Sequence, residues 1–187
     1  MEALKNDKRW TYAEYCTWED DVRCELIEGQ LYVMSPSPTW QHQGVNNSIN
    51  NKLYNYLNGK PCTVFTAPFD VRLDARGRDD TVVQPDIVVI LDSSKLEATG
   101  CVGAPDMVVE ILSPSTSTRD RKVKFDLYKR FGVPEYWIVD PAKRTVSANI
   151  LSGGEYITHV YSESDAAPVH VLEGCTISLR DIFAGIR

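Results

Sequence analysis

Two apolar runs, each carrying a carboxylate, constrain this chain more than any other feature. The first reads Thr81-Val82-Val83-Gln84-Pro85-Asp86-Ile87-Val88-Val89-Ile90-Leu91, and the second Pro105-Asp106-Met107-Val108-Val109-Glu110-Ile111-Leu112. Runs so rich in Val and Ile predict strands buried in a sheet. A carboxylate there is costly to bury unless it is paired, hydrogen-bonded or bound to a cation. Two of them on neighbouring strands, followed by a lysine on a helix, predict a divalent-metal site.

The rest of the chain supplies the layers such a sheet needs. Thr11-Tyr12-Ala13-Glu14 reads as a capping box opening a short helix. Residues 23–28 and 30–35 predict a strand pair around Gly29. A helix is expected over about 39–58, where Val45, Ile49, Leu53 and Tyr56 recur as one buried face and His42 joins it near the start. Two strands, 62–66 and 68–73, are interrupted at Ala67-Pro68; residues 74–80 and 92–104 read as loops. Ser117 or Thr118 caps a second helix running to about Phe131, and Gly132-Val133-Pro134 ends it. A strand over 135–140, a hairpin of 144–151 with 155–161, and an amphipathic piece from Leu179 to Ile186 complete the chain. The aromatics Trp10, Tyr12, Tyr15 and Trp18 suit a subunit contact or a small satellite core. The expectation is a single α/β or α+β domain over 1–187.

Composition narrows the function. No apolar stretch reaches the ~20 residues needed to span a bilayer, and the N-terminus lacks the apolar core of a signal peptide. A cytoplasmic location is therefore expected. Five cysteines, none spaced Cys-x-x-Cys, fit reduced thiols rather than a zinc site. A net charge of −6 argues against a strong, general DNA binder. A local basic cluster nevertheless runs through Arg119, Arg121, Lys122, Lys124, Lys129 and Arg130. No P-loop, dinucleotide fingerprint, zinc-protease motif or nucleophile elbow is present.

On the second helix Asp120, Lys124, Leu127, Tyr128 and Phe131 fall near one face, which turns Lys124 inward. An inward lysine needs an anionic neighbour, and Asp86 and Glu110 are the candidates. Two carboxylates and a backbone carbonyl suit Mg²⁺, which favours oxygen ligands and keeps several waters. Glu28, beside Gly29, is a candidate third carboxylate, and His42 a candidate to position or deprotonate a water. Gln84 shares the Asp86 face of an ideal strand, and Tyr128 reads as a packing residue rather than a chemical one.

The segments Gln84-Pro85-Asp86 and Val109-Glu110-Ile111-Leu112-Ser113-Pro114-Ser115-Thr116 resemble the Uma-type "putative restriction endonuclease" family of the PD-(D/E)XK nuclease superfamily. Glu25-Leu26-Ile27-Glu28-Gly29-Gln30-Leu31, the Asp120, Lys124, Tyr128 spacing and Gly132 through Pro141 extend the resemblance over roughly residues 10–183. It implies a restriction-endonuclease-like core, a central mixed β-sheet flanked by helices. It also implies Mg²⁺-dependent phosphodiester hydrolysis, with Mn²⁺ as a substitute ion. Asp86 and Glu110 would be metal ligands and Ile111 would offer its carbonyl, with double-stranded DNA as substrate and a homodimer to cut both strands. Where the superfamily pattern places a lysine two residues after Glu110, this chain has Leu112. Lys124 matches the arrangement in which the adjacent helix supplies it. The alternatives are a degenerate nuclease fold acting as a binding or regulatory module, and a metal-free carboxylate-pair hydrolase such as a glycosidase.

Overall fold

The computed structural model describes residues 8–17, 23–34, 37–113 and 120–186, without the side chains of Asp120 and Arg121. Period-2 alternation builds most of it. β1 (Cys24–Ile27) and β2 (Gln30–Val33) pair across a two-residue turn whose central residues, Glu28 and Gly29, have φ of 51° and 78°. Left-handed conformations at both positions give the turn a twist that matches its strands. β3 (Thr63–Thr66) and β4 (Asp70–Arg72) flank the predicted break, where the Ala67–Pro68 bond is cis.

The run over 81–91, which reads as one strand, is divided. β5 (Val82–Val83) belongs to one sheet and β6 (Ile87–Ile90) to another, and Gln84-Pro85-Asp86 crosses between them. Pro85 has no N–H to give to a ladder, so pairing stops there and the chain changes sheets. Asp86 thus precedes a strand rather than lying within one. The expected loop at 92–104 also carries structure: a 3₁₀ turn (Ser93–Lys95), β7 (Leu96–Glu97) and β8 (Gly100–Val102).

β9 (Met107–Ile111) and β10 (Glu135–Asp140) run parallel, connected through a π-helical turn (Asp120–Lys124) and α3 (Phe125–Arg130). The expected cap at Ser117 or Thr118 lies outside the described residues. β11 (Thr145–Ser152) and β12 (Glu155–Ser162) form the predicted hairpin. A small hairpin, β13 (Ala166–Pro168) with β14 (Thr176–Ser178), leads into α4 (Leu179–Phe183).

The larger mixed sheet has the order β12-β11-β10-β9-β6-β3, and the second β2-β1-β5-β4-β8-β7. On one face of the mixed sheet lies α2 (Trp40–Leu57), N-capped by Thr39. Its Val45, Ile49, Leu53 and Leu57 pack on Ile87, Val89, Met107, Val109 and Trp137. The opposite face packs on α3 and the second sheet, where Val88, Val108, Tyr136 and Ile138 meet Leu127, Tyr128, Ile27 and Val71. The fold is thus the expected central mixed sheet flanked by helices. Around α1 (Tyr12–Tyr15), with its capping box intact, Tyr12, Trp10 and Tyr15 form a satellite core with Leu26, Leu31 and Val82. Trp18 lies outside the described residues.

Candidate active site

Antiparallel pairing of β6 with β9 sets Ile87 opposite Val109. The same register continued by one residue brings Asp86 opposite Glu110. Asp86 Oδ2 accepts the Ile111 N–H at 2.7 Å and lies 3.2 Å from His42 Nε2. His42 reaches it from the first turn of α2, where Thr39 Oγ1 accepts its backbone N–H. Asp86 keeps 20% of its side chain exposed, so the cluster opens to solvent at this residue.

Glu110 points the other way, into the layer beneath α3. Its Oε1 accepts hydrogen bonds from Lys124 Nζ at 2.5 Å and from the Tyr128 hydroxyl at 2.8 Å. Lys124 is among the largest fully buried side chains. It sits where the π-helical turn passes into α3; such turns shift a side chain round the helix and recur at functional sites. Burial, and secondly the Glu110 carboxylate, push the Tyr128 phenol well above its usual pKa, so it stays a neutral donor.

A second carboxylate meets Lys124, Glu25, which the sequence does not single out. Glu25 on β1 lies 2.8 Å from Nζ through Oε1, and that oxygen also accepts the Gln84 N–H at 3.0 Å. Glu28, three residues on, occupies the turn and pairs with Arg130 at 2.6 Å on the surface. The strand pleat explains the exchange. Ile27 packs towards α3 and Glu25 shares its face, while Cys24 and Leu26 face the satellite core. Both faces of β1 are covered, so all four of its residues are buried. A carboxylate inside an apolar strand was the available signal, the same one that marks Glu110.

Gln84 also ties the second sheet to the cluster. Its side chain donates to Asp70 Oδ1 at 2.8 Å and accepts from Arg23 at 2.6 Å. Burial raises the Asp70 pKa above its ordinary value. The basic run is partly spent internally, since Lys129 pairs with Glu155 and Arg130 with Glu28. The side chain of Arg121 and all of Arg119 lie outside the described residues.

Among the described residues no three His, Cys, Asp or Glu side chains are gathered as a metal cage. The oxygen donors the sequence offers are the Asp86 carboxylate, which turns to His42 and the Ile111 N–H, the Glu110 carboxylate, which turns to Lys124 and Tyr128, and the Ile111 carbonyl. That is an all-oxygen set which leaves positions to water, as Mg²⁺ binding ordinarily does and structural zinc binding does not. Also among the described residues, no helix is long and apolar enough to cross a membrane.

The fold and sequence have known counterparts. A crystal structure described as a putative nuclease belonging to DUF820, from Anabaena variabilis, superposes with a TM-score of 0.75. It is 22% identical, with 94% of this chain and 98% of that chain covered. An uncharacterized protein of Synechocystis sp., slr1290, is 30% identical over 117 residues. That match covers 62% of this chain, and the chain spans about 60% of that relative's length. Residues 11–180 match the Uma2 family, described as "Putative restriction endonuclease". The chain belongs to this restriction-endonuclease-like family.

Proposed function

We propose that the protein is a Mg²⁺-dependent endonuclease that hydrolyses phosphodiester bonds of double-stranded DNA, working as a homodimer. The observation that carries this reading is the hydrogen bond from Lys124 to Glu110. It supplies from α3's leading turn the cation missing at Leu112, which is buried in the core beside Tyr128. Asp86, Glu110 and the Ile111 carbonyl would hold the ion. When bound, Mg²⁺ polarises the phosphodiester and lowers the pKa of a bound water.

The chain's own residues do the remainder. Lys124 brings positive charge to Glu110 from the buried side of the site. Tyr128 shares Glu110 Oε1 with Lys124 and fixes that carboxylate. His42 and the Ile111 N–H do the same for Asp86.

Calorimetric titration of Mg²⁺ and Mn²⁺ into wild type and Asp86→Ala, with plasmid cleavage alongside, tests the proposal. Expected are metal binding lost in the variant and nicking that stops with chelator. Absence of metal binding by folded wild type would overturn it and favour the binding-module alternative.

A further inference from the structure

We propose that Glu25 is a positioning residue of this site, holding the Lys124 ammonium in place when a cation draws on Glu110. The inference rests on reading the site as a metal-dependent hydrolase. Lys124 Nζ is shared between two elements of different sheets, 2.8 Å from Glu25 Oε1 and 2.5 Å from Glu110 Oε1. The 2.8 Å separation from Glu25 is that of a charge-assisted hydrogen bond. The Glu25 side chain is fully buried, where an ion pair is screened little and loss of a partner is costly.

A lysine anchored by Glu110 alone would lose its counter-charge as a divalent ion took that carboxylate, and the ion would repel the ammonium. Glu25 removes this conflict by offering Lys124 an acceptor on a different strand. The anchor is itself fixed, because Glu25 Oε1 also accepts the N–H of Gln84. Gln84 belongs to the same Gln84-Pro85-Asp86 crossing that presents Asp86. One piece of backbone therefore sets both the exposed carboxylate and the acceptor that holds the lysine. Glu28, committed to Arg130 at the turn, does not serve this purpose.

Glu25→Gln retains the shape and a carbonyl acceptor but removes the charge; Glu25→Asp retains the charge with shorter reach. Glu25→Gln is expected to bind Mg²⁺ as wild type does by calorimetry. Its kcat for plasmid cleavage should fall about 10- to 100-fold at unchanged KM, a loss usual for supporting residues. Glu25→Asp should restore part of that loss. In ¹⁵N spectra of the Mg²⁺-loaded protein, the Lys124 ammonium resonance, assigned by its absence in Lys124→Met, should be sharp in wild type and exchange-broadened in Glu25→Gln. A sharp resonance and wild-type kcat in Glu25→Gln would overturn the proposal. Loss of Mg²⁺ binding, as in Asp86→Ala, would also overturn it by making Glu25 a ligand. If wild type proves inactive, the hydrolase reading falls, while the ammonium resonance still decides whether Glu25 holds Lys124. Should Glu25→Gln not fold, Glu25→Asp carries the same measurements with a smaller expected loss.

Discussion

Lys124 reconciles two carboxylates that would otherwise be buried against each other's charge. Glu25 is fully buried, Glu110 is 4% exposed and Lys124 1% exposed, so none of the three is rescued by solvent. Lys124→Met preserves the length of the stem and removes the ammonium that both carboxylates share. Removing one member of a buried ion pair costs about 3–5 kcal/mol. The variant should therefore unfold at much lower urea concentration than wild type at neutral pH, and an unchanged midpoint would contradict the burial described. The residue types of this cluster were partly legible in advance. Asp86, Glu110, Lys124 and His42 stand out as polar residues on apolar faces, and His42 does meet Asp86. Glu28, the third carboxylate the sequence offers beside Gly29, lies in the turn at φ 51° and pairs with Arg130 at the surface.

At the level of elements, α2 is the clearest product of its own sequence. Thr39 caps it, and Val45, Ile49 and Leu53 lay the expected stripe on the mixed sheet, continued by Leu57 while Tyr56 packs only half-buried beside it. Leu53 is wholly buried there. Leu53→Ala should cost about 2–5 kcal/mol in urea unfolding while leaving Mg²⁺ binding in place, because His42 lies at the far end of the helix. Elements dominated by a single side-chain pattern, such as β9, β10 and the β11–β12 hairpin, match their expected bounds closely. Short elements do not: β7 and β8 form in what reads as a loop, because β8 gains its pairing from β4, some thirty residues earlier. Local propensity carries no trace of such a partner.

Over the whole molecule, buried phenols set a limit on alkaline stability. Burial is the leading cause that raises the pKa values of Tyr15, Tyr128 and Tyr156, so each stays protonated in the folded state beyond its usual range. The unfolded chain releases those protons near pH ~10, and above that pH the folded state binds more protons. Stability is then fully present below pH ~10 and declines as pH rises towards the folded values. Urea unfolding at pH 9 and pH 11 should show this decline, and Tyr128→Phe should lessen it. The sequence by itself determined the strands of the mixed sheet, the long helix, the acidic residues on apolar faces and the family resemblance, because periodicity and burial cost are local properties. Only the tertiary structure decided that the Asp86 run splits between two sheets at Pro85. Only it decided that Glu25 rather than Glu28 meets Lys124. Both outcomes depend on which distant strand covers a given face, and pairing between remote segments is settled by packing the whole chain.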